Sequence, residues 1–281
     1  MKTDSIAFEG LSLGVLSAGS PTQPGLVLLH GWPHNNRLYD SVIEPLAEAH
    51  HVLAFDLPAI GSSRGNPPSA EKTVLAHIVL GAAERAGLKS IVIAGIDVGG
   101  MIAYAAARDH GERIRGAIVI NTVIPGIDPW EKILADPRIW HFAFHNIAQL
   151  PEHLVHGRQR AYFDYFTRML AGHAEAIDEA HRSTFAAAYQ SHGALKAGFD
   201  WYRSMAADAQ HNSRACTIRT PMLYLRGDAD GRKPDDYLPG LKAAGAVAVE
   251  GRTLKHCGEF APLEAPQAFI EAVRDFARSC A

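Results

Sequence analysis

A mostly parallel α/β sheet, covered by helices on both faces and split by a helical insert, is the fold the sequence predicts. Three observations predict it. Short apolar runs recur at Leu11–Ser17, Leu26–His30, His51–Asp56, Ser90–Gly95 and Ile114–Asn121, with helical patterns at Ala70–Ala86 and Met101–His110 between the later ones. Runs apolar on both faces that alternate with helices read as parallel strands buried from both sides. From Ile124 to Ala215 no convincing strand occurs, and helical segments rich in aromatics take over, among them Trp130, Trp140, Phe142, Tyr162, Phe166, Trp201 and Tyr202. The strand–helix pattern then resumes with Pro221–Arg226, a helix near Pro234–Ala244, the strand Ala246–Leu254 and a final helix from Glu264 to Arg278. The expected division is therefore a core of 1–123 and 216–281, with 124–215 as a helical cap inserted after the sixth strand, over the strand ends where open α/β sheets place their sites.

Composition narrows the function classes. The 281 residues are 47% hydrophobic and 20% charged, with a formal net charge of −3, which gives no reason to expect nucleic acid or an anionic membrane as partner. Cys216, Cys257 and Cys280 have neither metal-type nor redox-motif spacing, so reduced thiols in a cytoplasmic setting are expected. The N-terminus lacks a signal-type apolar run, and no stretch approaches a membrane span. The fifteen histidines form no cluster with ligand spacing, and neither metal nor cofactor is expected.

Gly95-Ile96-Asp97-Val98-Gly99-Gly100 lies between a buried strand and a helix. This is the strand–turn–helix setting of a nucleophile elbow, G-x-S-x-G, with Asp in the serine position. Small residues around it are needed because the elbow holds its central residue in strained geometry. Upstream, the turn His30-Gly31-Trp32-Pro33 follows a strand where such folds supply an oxyanion-type N–H. The backbone N–H groups of Trp32 and Val98 are the expected donors.

These two segments, with Asp56-Leu57-Pro58-Ala59-Ile60-Gly61-Ser62-Ser63, resemble the epoxide hydrolase and haloalkane dehalogenase branch of the α/β-hydrolases. The resemblance runs over nearly the whole chain. In the cap, Trp140-His141-Phe142-Ala143-Phe144, Leu150-Pro151-Glu152, Gly157-Arg158 and Trp201-Tyr202-Arg203 resemble the epoxide hydrolase side. The resemblance implies an α/β-hydrolase fold in which Asp97 attacks a ring carbon to form an alkyl-enzyme ester. Tyr202 and His141 fall where ring-opening donors sit, and Trp140 where substrate is contacted. A phenol or imidazolium donating to the developing alkoxide lowers its energy in a dry pocket.

The base departs from the family pattern. Anchoring Lys255-His256-Cys257-Gly258-Glu259 on Gly258 and on Glu264-Ala265-Pro266 puts Glu259, rather than a histidine, at the base position; His256 falls three residues earlier. For the orienting acid, one place holds Asn121 and the other Asp230. Two carboxylates facing each other in a low-dielectric pocket cannot both ionise cheaply, so one pKa is expected to rise. Three outcomes stay open: Glu259 as base in a hydrolase, an Asp97–Glu259 pair used for non-hydrolytic proton transfer, or a substitution that stalls the second half-reaction. Haloalkane or haloacid dehalogenation ranks lower, because Val98 offers no side-chain donor to a halide. Ligand binding without turnover is the reading from a different class. The aromatic cap suggests an apolar small-molecule substrate. Oligomeric state is not legible, a homodimer being the one assembly entertained.

Overall fold

The computed structural model describes residues 1–280. Eight strands, β1 (Lys2–Phe8), β2 (Leu11–Ala18), β3 (Gly25–Leu29), β4 (His51–Phe55), β5 (Ile91–Ile96), β6 (Ile114–Ile120), β7 (Met222–Gly227) and β8 (Val249–Leu254), form one sheet. Its order is β1-β2-β4-β3-β5-β6-β7-β8. The β1–β2 and β2–β4 pairings are antiparallel and all others parallel. Every residue of β3 and β5 is buried, as central strands covered on both faces require. β1 lies at the sheet edge and is mostly exposed, so its sequence KTDSIAF lacks the apolar run that marks the central strands.

Side chains alternate across the sheet with period two, dividing the core. Val27, Leu29, Ile93 and Val119 face the side covered by α2 (Lys72–Arg85) and α3 (Val98–Asp109). Leu26, Leu28, Val92 and Ile118 face the other side, which is covered by α1 (Ile43–Leu46) and α13 (Pro266–Ser279). The C-terminal part of the core also carries α11 (Leu238–Ala243) and α12 (Ala261–Glu264).

Between β6 and β7 the chain forms α4 (Trp130–Leu134), α5 (Trp140–Asn146), α6 (Leu150–Val155), α7 (Gln159–Leu170), α8 (Glu179–Ala188), α9 (His192–Arg203) and α10 (Met205–Asn212). Helix starts are set locally. The Asp178 carboxylate accepts from the His181 N–H ahead of α8, and the Ser191 hydroxyl from the Ala194 N–H ahead of α9, each satisfying a free first-turn amide. The insert is seated on the core by a buried ion pair: Lys72 Nζ lies 2.7 Å from Asp208 Oδ2 with both side chains nearly inaccessible. The Lys72 N–H donates to the other Asp208 oxygen at 2.9 Å, and Nζ also reaches the Ser204 hydroxyl at 2.8 Å. A buried lysine is tolerated only with such complete pairing.

Candidate active site

β5 delivers Asp97 to the carboxyl end of the sheet, and α3 starts at the next residue. The chain turns so sharply that Asp97 adopts φ 52°, ψ −121°, a strained region for a non-glycine residue. Strain there is held by close packing: a Cβ on Gly95 would stand 2.0 Å from the Gly99 carbonyl oxygen, so no larger residue fits.

The Trp32 N–H donates to Asp97 Oδ2 at 2.8 Å. The turn that carries it passes so near that a Cβ on Gly31 would lie 2.5 Å from Asp97 Cβ. His30 fixes this turn from beneath. Its Nε2 accepts from the Leu57 N–H at 3.0 Å, so Nδ1 carries the proton and donates to the Gly31 carbonyl at 2.9 Å. His30 therefore shapes the turn and has no ring nitrogen left for chemistry. Burial raises the Asp97 pKa to about 6 against the opposing pull of the Trp32 and Val98 N–H groups and, further off, Lys72.

A cavity of about 90 Å³ lies over the elbow, with Trp32, Asp97, Asn121, His141, Tyr202 and Glu259 among the residues lining it. His141 (α5) and Tyr202 (α9) descend from the insert, their rings in edge contact at 5.8 Å. Burial, reinforced by Asp97, drives the Tyr202 phenol well above its usual range, so it keeps its proton as a donor. Burial alone pushes His141 down to about 3. The sequence suggested an imidazolium here; the ring is instead neutral and can donate through only one N–H. It stacks on Trp32 at 5.9 Å.

Glu259 faces the same cavity, and its Oε1 is buried with no hydrogen-bond partner. Burial raises its carboxyl well above the carboxylate range, Asp97 adds to the rise, and Arg226 opposes it. The loop around it is tightly held. The Asn121 amide donates to the Gly258 carbonyl at 2.8 Å and accepts from the Gly227 N–H at 2.9 Å. A carboxylate at 121 would set an oxygen against the Gly258 carbonyl, so the amide suits this backbone. Glu264 accepts from the N–H groups of Gly258 (3.0 Å), Phe260 (2.8 Å), Gly172 (2.6 Å) and His173 (2.9 Å), and so ties the Glu259 loop to the insert.

Asp230 and Trp140 do not take the places expected of them. Asp230 lines the cavity but is ion-paired to Arg226 and Arg232, with no histidine to orient. Trp140 is 41% exposed and lines a separate groove on the outside of the insert. His256, in left-handed backbone at φ 54°, is exposed. Sequence reasoning missed Lys72, Asp208, Glu264 as a brace, and Arg226. Only Arg226, a charge closing the apolar run of β7, carried a readable signal. Among the described residues no His/Cys/Asp/Glu group is arranged to hold a metal, and no helix is long and apolar enough to cross a membrane.

Residues 24–266 match the family model described as alpha/beta hydrolase fold. The chain belongs to the α/β-hydrolase family. Within it, the soluble epoxide hydrolase of Corynebacterium sp. (strain C12) is 25% identical over 276 residues, 95% of this chain and 94% of that protein. The pimeloyl-[acyl-carrier protein] methyl ester esterase of Edwardsiella ictaluri is 27% identical over 263 residues, 90% of this chain and 92% of that one. Among solved structures, Cfl2 from Burkholderia cenocepacia superposes with a TM-score of 0.88 at 28% identity, covering 98% of this chain and 94% of that one. Full-length relatives of this α/β-hydrolase thus carry different activities in their names. The residue at the elbow, rather than family membership, has to discriminate between reactions.

Proposed function

We propose that this α/β-hydrolase opens epoxides through Asp97. The observation that carries the reading is a strained elbow carboxylate, its Oδ2 held by the Trp32 N–H at 2.8 Å, in one cavity with two neutral cap donors, the Tyr202 phenol and the single N–H of the His141 ring. With Oδ2 engaged, Oδ1 attacks the less hindered ring carbon. The carbon–oxygen bond breaks, its electron pair moves to the ring oxygen, and Tyr202 donates to the alkoxide with His141 assisting. The product is an alkyl ester on Asp97.

Esterification removes the Asp97 charge, and with it one of the influences that keep Glu259 protonated. Glu259 then ionises more readily, at the stage when a base is needed to take a proton from water. Water attacks the ester carbonyl carbon as Glu259 takes its proton, and the Trp32 and Val98 N–H groups receive the oxyanion; the bond from the carboxyl carbon to the ester oxygen then breaks, that oxygen takes the proton back from Glu259, and the diol leaves with the Asp97 carboxylate regenerated. A carboxylate whose proton is released by the first half-reaction can stand in for imidazole, and Asn121 contributes no competing charge.

The test is diol formation from short aliphatic epoxides between pH 5 and 9. Ring opening should rise through about pH 6 as Asp97 ionises, and hydrolysis of the ester should continue to rise at higher pH. Diol formation unaffected by Asp97→Asn would refute the reading.

A further inference from the structure

A second cavity of about 160 Å³ shares Asn121, Leu170, Arg226, Asp230, Arg232 and Glu259 with the one over Asp97, and its wall adds Arg138 from the insert. The two are neighbouring chambers separated by shared side chains, and the one away from Asp97, the outer chamber, is more polar. Along the outer chamber the charges form a single ladder. Arg226 pairs with Asp230, Asp230 with Arg232 at 3.2 Å, Arg232 with Asp136, and Asp136 with Arg138 at 2.7 Å. Within the ladder three guanidiniums share two carboxylates, a surplus of one positive charge; the third carboxylate on this wall, Glu259, is pushed toward its neutral form by burial and by Asp97. Arg226, 8% exposed, is too buried for water to screen it fully, and its Nε has no acceptor. A surplus cation beside a partly enclosed chamber focuses its field on whatever occupies that space.

We propose that the outer chamber is a carboxylate subsite and that the substrate is a short epoxide bearing one carboxylate, the three-membered ring inward against Asp97 and the anion outward among the arginines. This rests on the epoxide-opening reading for the ring, while the subsite is testable without it. The ladder joins the insert (Asp136, Arg138) to the core (Arg226, Asp230, Arg232), so a bound anion would also draw the two together over the elbow.

The experiment uses the full chain with cyclopropanecarboxylate and cyclopropanecarboxamide, which match glycidate and glycidamide in shape but lack the reactive oxygen. Binding is read from the fluorescence of Trp32, which lines the inner cavity. The carboxylate should bind about tenfold more tightly than the amide, as one partly screened charge allows. Arg138→Gln, which cancels the surplus, should bring the ratio to about one, and Asp136→Asn, which doubles it, should widen the ratio. Equal affinities, a ratio unmoved by both variants, or no binding of either ligand would overturn the proposal. Equal weakening of both ligands in the variants would do the same, since it marks the ladder as a mechanical latch only. If the preference holds but glycidate is not opened, the epoxide reading falls and the carboxylate subsite stands.

Discussion

Asp97 is half-buried, charged at neutral pH and strained, three burdens that a structural residue at an elbow would shed. Its folded pKa of about 6 exceeds the ordinary 3.8, so this group favours the folded state below the ordinary value and loses that contribution as pH rises through 6. Asp97→Asn should therefore stabilise the protein by about 3 kcal/mol at pH 8 and by about half of that at pH 5, since each pKa unit corresponds to about 1.4 kcal/mol. Thermal unfolding at the two pH values measures this, and a variant no more stable at pH 8 than wild type would contradict the burial argument. Tyr202 works in the opposite sense: its phenol stays protonated, so Tyr202→Phe should keep the fold and slow ring opening by roughly 10²–10³-fold, as loss of one oxyanion donor does elsewhere. Single-turnover rates decide it. At this scale the sequence was informative wherever chemistry forces a residue type. The elbow Asp97, the Trp32 turn, Tyr202 and Glu259 were legible because each sits in a motif. The neutral state of His141 was not, because it depends on burial supplied by α5, α7 and α9 together.

Glu259 depends on its loop as an element, and Glu264 holds that loop. A carboxylate taking four backbone N–H groups supports Gly258 and Phe260 on either side of Glu259 and the 172–173 segment of the insert. Glu264→Ala should cost about 2–3 kcal/mol in denaturant unfolding, by leaving partly buried donors unsatisfied. It should also slow ester hydrolysis more than ring opening, because Asp97 and Tyr202 lie on other elements. Equal slowing of both steps would mean that the loop does not position Glu259 selectively. The sequence showed Glu264 only as an anchor for alignment. The central strands were legible through their burial. β3, β5 and β6 were readable as apolar runs, whereas the edge strand β1 was hidden by its polar alternation. α3 begins three residues before its expected start because the elbow itself forms the first turn.

For the whole molecule, the question is how a helical insert is kept in register with a sheet it joins only at its ends. The Lys72–Asp208 pair makes that link deep in the interface, and the neighbouring Lys72–Ser204 contact lies two residues from Tyr202. Lys72→Met strands the Asp208 charge and should destabilise the fold by about 3–5 kcal/mol, whereas Lys72→Met with Asp208→Leu should recover most of the loss. Chemical denaturation of both variants separates a stranded charge from lost packing; no recovery in the double variant would point to packing. Neither partner was legible, because 136 residues separate them and each looks like an ordinary surface charge in its own helix. The run of helices between β6 and β7 was legible, because it is written in the change from strand-length apolar runs to aromatic helices.

The central claim is that Asp97 becomes covalently attached to the substrate carbon. Mass spectrometry of the protein quenched within seconds of mixing with glycidate or a short neutral epoxide tests it most directly. The expected result is a gain equal to the mass of the intact epoxide, located on the peptide containing Asp97, absent in Asp97→Asn and more persistent in Glu259→Gln. No adduct with any epoxide, even in Glu259→Gln, or an adduct that survives Asp97→Asn, would contradict the account.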